Sequence, residues 1–111
     1  MKVKNAFHEF VMGDLFGNIP GVTSRAMFGG WGIYQHGIIF AIIVEGTLYL
    51  KAHEESRADF ERYHMKPFTY YSPKGKKTTM SYWELPEEIM EDREELVRWV
   101  HRAVQISKAS K

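Results

Sequence analysis

Between two glycine-containing turns the chain carries a run without one polar side chain, Ile38-Ile39-Phe40-Ala41-Ile42-Ile43-Val44, in which five of seven positions are β-branched. His36-Gly37 precedes it and Glu45-Gly46 follows it, both turn-forming pairs, so the run predicts a central strand. Successive side chains of a strand point to opposite faces of the sheet. Strict alternation therefore sends Ile38, Phe40, Ile42 and Val44 to one face and Ile39, Ala41 and Ile43 to the other. Both faces are apolar, and each needs a cover. A bilayer-spanning helix takes about 20 apolar residues, so this run does not span a membrane.

The flanking patterns supply the partners. Val3, Ala6, Phe7, Phe10, Val11 and Leu15 recur at helical spacing until Gly17 and Pro20, predicting an amphipathic first helix of about three turns. Val22 to Gln35 predicts one extended segment bent at Gly29-Gly30, and Thr47 to Lys51 a further strand, so the turns at 36–37 and 45–46 make an antiparallel meander. His53-Glu54-Glu55-Ser56 opens a short helix that ends near His64, ahead of Pro67. Phe68 to Ser72 and Lys77 to Glu84 are strand-like and joined by Pro73-Lys74-Gly75-Lys76, a hairpin with a basic tip. Pro86 suits a first helical turn, and Asp92 with Glu95 resembles a capping box ahead of the periodic Leu96, Val97, Val100, Ala103 and Val104. The expected fold is α+β and two-layered: a five-stranded, mainly antiparallel sheet, helices on one face, in the order α-β-β-β-α-β-β-α.

The 111 residues fit one domain, 1–111, with an ordinary globular balance of 44% hydrophobic and 26% charged residues. With no cysteine, disulfides, thiolate catalysis, iron-sulfur clusters and cysteine-ligated zinc are excluded. Nothing near Met1 has the unbroken apolar stretch of a secretory signal, which leaves the cytoplasm as the expected location. A formal net charge of +1 gives no long-range field toward nucleic acid or an acidic membrane. Charge is uneven locally: seven of the 14 acidic residues lie between Glu84 and Glu95, just after Lys74, Lys76 and Lys77.

Several short motifs stand in order: Arg25-Ala26-Met27-Phe28-Gly29-Gly30, Phe40-Ala41, Leu48-Tyr49-Leu50-Lys51, Pro67-Phe68-Thr69-Tyr70, Met80-Ser81-Tyr82 and Leu85-Pro86-Glu87-Glu88. Together they resemble the N-terminal domain of the TfoX (Sxy) family, bacterial proteins named for regulators of natural transformation competence. The resemblance implies the same α+β element order, a cytoplasmic regulatory role with no enzymatic activity, and a transcription component as a possible partner. Two departures stand out. His64 occupies the end of the second helix, where the family usually has glycine. The competence regulators also commonly carry a second, helical C-terminal domain, which residues 1–111 do not contain.

Candidate chemistry is sparse. His53 and Glu55 have the H-x-E spacing of zinc deaminases, whose chemistry also needs a distant cysteine pair; His8, His36, His53, His64 and His101 are scattered and suit surface or capping roles, so no metal or other cofactor is expected. Gly29-Gly30-Trp31-Gly32 is followed by strand, whereas a phosphate loop needs a helix, so these glycines suit a turn or bulge. Lys74, Lys76 and Lys77 beside Tyr71 are the candidate nucleic-acid-binding group; the alternative is lysines that guard an exposed hairpin against aggregation. Arg25 is either an internal ion-pair anchor or, with Lys51, the polar contact of a ligand groove. The expected partner interface is the face opposite the helices, with Ile39, Ala41 and Ile43 joined by Tyr49 and Tyr34. A few hundred Å² of apolar surface there favours docking, most simply as a homodimer.

Overall fold

The computed structural model describes residues 3–27, 29–71, 74–75 and 77–109. In chain order these form helix α1 (Val3–Glu9), a π-helical continuation (Phe10–Leu15), strands β1 (Val22–Met27), β2 (Gly30–Gln35), β3 (Ile38–Val44) and β4 (Thr47–Lys51), helix α2 (Glu54–Arg62), strands β5 (Pro67–Tyr71) and β6 (Lys77–Glu84), and helices α3 (Glu87–Met90) and α4 (Arg93–Ala109). The six strands make one antiparallel sheet in the order β1-β2-β3-β4-β6-β5. The fold class and element order agree with the sequence pattern, with one strand and one short helix, α3, more than expected. Val22 to Gln35 is a hairpin and not a single bent segment, with Met27 paired to Gly30. Gly30 also borders β3: a Cβ there would lie 2.0 Å from the Ile43 carbonyl oxygen, so only glycine lets the β2 and β3 backbones approach this closely.

Turn chemistry fixes the meander. His36 and Gly37 have φ of 50° and 83°, Glu45 and Gly46 of 50° and 79°, the paired positive values of two-residue turns whose twist matches that of the flanking strands. Register then slips once. Ile33 pairs with Ala41 while Tyr34 pairs with Ile39, which leaves Phe40 as a bulge in β3. Phe40 and Ala41 both end fully buried, and the alternation that restarts at Ala41 carries Ile43 inward beside Leu48 and Leu50.

Helices cover that inner face. α4 packs over β3 and β4 through Leu96, Trp99, Val100, Ala103 and Val104, and α2 lies against β6. Phe60 of α2 meets the Trp99 ring edge-on at 4.9 Å, and Phe16 meets Phe40 at 5.5 Å. Asp59 ties α2 to α4 by accepting from Arg102 at 2.6 Å. At the N-terminus the Phe16 N–H donates to the Val11 carbonyl at 2.8 Å, an i to i−5 bond whose wider turn brings Val11, Leu15 and Phe16 onto one buried face. His8 anchors this stretch to the sheet, its ring stacked on Trp31 at 3.7 Å and its Nε2 2.8 Å from the Ser24 hydroxyl.

The helix ends use the expected residues with some changes of role. The Asp92 carboxylate accepts the Glu95 N–H at 3.2 Å, but the Glu95 side chain turns to Arg98 and Trp99 and does not close the box. At the end of α2 the Met65 N–H donates to the Phe60 carbonyl and the His64 N–H to that of Glu61, the double bond pattern of a Schellman cap. His64 sits at its left-handed position, with φ of 64°. A Cβ there costs about 1–2 kcal/mol, offset in part by the extra unfolded-state freedom of glycine, about 0.4–1 kcal/mol. His64→Gly should therefore stabilise the domain by about 0.5–1 kcal/mol and raise its Tm by about 2–6 °C in thermal unfolding. A Tm unchanged or lowered would show that the left-handed histidine is not strained.

Candidate functional site

The face of the sheet without helices is where unassigned apolar side chains collect. Alternation away from Ala41 and Ile43 places Ile39, Ile42 and Val44 there, joined across the ladders by Tyr34 and Tyr49. Met27, Ile39, Ile42, Val44, Phe68 and Tyr82 line a concavity of about 240 Å³ on this face. Gly32 makes room for it, since a Cβ there would stand 2.9 Å from the Met27 sulfur and 3.3 Å from the Tyr34 ring. Tyr49 meets Phe68 edge-on at 5.2 Å and fixes the wall that β4 shares with β5. Two cations flank the apolar floor. The Arg25 guanidinium lies 5.9 Å from the centre of the Tyr34 ring, and the Lys51 ammonium 5.1 Å from that of Tyr82.

The expected interface set is therefore divided. Tyr34, Ile39 and Tyr49 lie on the helix-free face, whereas Ala41 and Ile43 are 0% and 4% exposed and turn toward the helices, Ile43 still bordering the concavity. The bulge at Phe40 is the cause. A one-residue slip exchanges the two faces, so Ile42 and Val44 take the outward places that strict alternation gave to Ala41 and Ile43. Met27, Phe68 and Tyr82 were not in the expected set; they come from strands distant in sequence, and only the sheet order brings them together.

The charged candidates fare differently. The ion pairs among the described residues are Arg62–Asp59, Arg98–Glu95 and Arg102–Asp59, so Arg25 is no internal ion-pair anchor but an exposed cation resting on a tyrosine. Arg25 and Lys51 share one face, on opposite sides of β3. In the basic hairpin Lys74 is exposed and the backbones of Tyr71 and Lys77 pair. Phe28, Ser72, Pro73 and Lys76 lie outside the described residues, as do the side chains of Tyr71 and Lys77. His53 caps α2, its Nδ1 accepting from the Glu55 N–H at 3.5 Å and its own N–H donating to Ser56 Oγ at 2.9 Å. Among the described residues no three His, Asp or Glu side chains are grouped to hold a metal ion, and no helix is long and apolar enough to cross a membrane.

The TfoX N-terminal domain family matches residues 14–107. Protein Sxy of Escherichia coli (strain K12) is 30% identical over 77 residues, which are 69% of this chain and 36% of that protein. The chain thus corresponds to about a third of the length of that relative.

Burial sets the electrostatics of the concavity. It pushes the Tyr82 phenol above its ordinary value, with the nearby Tyr34 phenol adding to the rise. Tyr49 is raised as well, first by burial and then by the Glu84 carboxylate. Both hydroxyls keep their protons to higher pH in the folded chain than in the unfolded one. Their contribution is therefore intact below the unfolded tyrosine pKa of about 10 and is lost as pH rises through the folded values, because the unfolded chain then binds fewer protons. Urea midpoints should fall as pH rises from about 9.5 to about 11, and fall less in Tyr82→Phe than in the parent chain. An equal decline in the two would remove Tyr82 from the buried wall.

Proposed function

We propose, from the premise that this chain belongs to the TfoX N-terminal domain family, that it is a small regulatory or adaptor domain that acts by contact with another protein and not by catalysis. The observation that carries this reading is the apolar concavity on the helix-free face, from Met27 to Tyr82. Its volume of about 240 Å³ is below the usual span of about 300–1,000 Å³ for small-molecule sites, and it suits the side chains of a docking protein better than a cofactor. Covering about 400 Å² of such surface contributes about 10 kcal/mol gross, before association entropy and side-chain ordering are subtracted. In this reading the domain works in the cytoplasm, as its resemblance to competence regulators implies. The simplest occupant of the face is a second copy in a two-fold dimer, and a transcription component is the partner that the family role suggests.

Light scattering over a concentration series, with an affinity pull-down from nuclease-treated lysate, tests this. The parent chain should exceed its monomer mass of 13.0 kDa as concentration rises, or retain a protein partner. Ile42→Asp, with its circular dichroism unchanged, should lose either association by placing an unpaired charge on the apolar floor. A strictly monomeric parent chain that retains no partner dependent on Ile42 would sink the reading.

A further inference from the structure

A second and larger concavity lies away from the helix-free face, where the first helical stretch approaches α3. This groove, of about 580 Å³, has an apolar floor that includes Leu48, Met65 and Leu85, with Phe10 on one wall and Met90 on the other. Phe10 is 42% exposed, an unusual state for a large apolar ring beside an apolar floor. The rim is acidic. Glu84, Glu87, Glu88 and Glu91 line the groove, no Lys, Arg or His does, and none of the four carboxylates is in an ion pair among the described residues. Glu87, Glu88 and Glu91 thus bring three formal negative charges to an apolar trough in a chain whose net charge is +1, whereas the Glu84 carboxylate lies near Tyr49.

We infer that this groove binds a basic amphipathic helix of a partner protein. Apolar side chains at i, i+3, i+4 and i+7 lie on the floor between Phe10 and Met90, and lysines or arginines on the flanks of the helix face Glu87, Glu88 and Glu91. The rim excludes a nucleic-acid backbone, which would meet only like charge. The form of the occupant follows from the sheet. Its free edges are β1 and β5, whereas the groove borders the turn between the interior strands β3 and β4, so there is no open strand edge along it for an extended peptide to join. A helix carries its own backbone hydrogen bonds and needs none from the groove.

Fluorescence anisotropy with a labelled synthetic peptide tests this inference. The probe is a helix of about four turns with Leu at i, i+3, i+4 and i+7 and Lys elsewhere. Two controls share its length: one has Glu in place of Lys, the other Ser in place of Leu. The parent domain should bind the probe, more weakly as salt rises, and bind neither control comparably. Glu87→Gln/Glu88→Gln/Glu91→Gln and Phe10→Ser change exposed positions, and each should weaken binding by about tenfold or more with circular dichroism unchanged. Ile42→Asp, on the other face, should bind the probe as the parent does, which separates this site from the proposed docking face. The inference is overturned if either groove variant binds like the parent, if the Ser control binds as well as the probe, or if the Glu control does.

Discussion

The structure depends on how one strand with no polar side is covered twice. β3 lies in the interior of the sheet, and each of its faces would cost free energy if left to water: about 25 cal/mol for every Å² of apolar surface. The bulge at Phe40 decides the division. It turns two consecutive residues, Phe40 and Ala41, toward the helices, and so gives α4 a large ring beside a small side chain to pack against. The same slip moves Ile42 and Val44 to join Ile39 on the side away from the helices. Core and candidate site are thus two outcomes of a single register choice.

Most of the fold was legible because the signals were local. Paired turn residues at 36–37 and 45–46 need no tertiary context to give a hairpin, and Asp92 caps its helix through a neighbour three positions on. The left-handed place of His64 could be anticipated from the glycine the family usually has there. Non-local features were hidden. A bulge in an all-apolar strand leaves no break in the hydrophobic pattern, since every residue is acceptable on either face, and this is why strict alternation points Ala41 and Ile43 outward. The extra hairpin at Met27 and Gly30 reverses beside Gly29, whose φ is 75°, and a glycine pair permits a full reversal as readily as a bend without announcing which. The π-helical stretch is equally silent, because Val11, Leu15 and Phe16 also fit an ordinary helical period.

In the proposed reading the helix-free face serves contact more than reaction. Its polar groups include phenols, which burial holds protonated, cations at rest on aromatic rings, and the Glu84 carboxylate near Tyr49. The Tyr82 hydroxyl keeps its proton to higher pH than a free phenol does. Aromatic walls with a hydroxyl at the tip instead offer area at low entropic cost, the composition that recurs where proteins meet. Arg25 and Lys51 add direction to such a surface, since a partner that displaces either from its tyrosine must supply an alternative for the cation.

The ladder between β4 and β6 has a consequence of its own. Strands β1 to β4 follow one another through tight turns or short connections, but β6 reaches β4 only after the chain has passed through α2 and β5, so Leu50 meets Trp83 across a long excursion. Tyr82 and Phe68, which complete one wall of the concavity, belong to the far side of that seam. Chain-closure entropy opposes such distant pairings far more than it opposes two-residue turns. The pocket is therefore assembled from two separately stitched panels, and its shape at any moment measures whether the stitching between them has held.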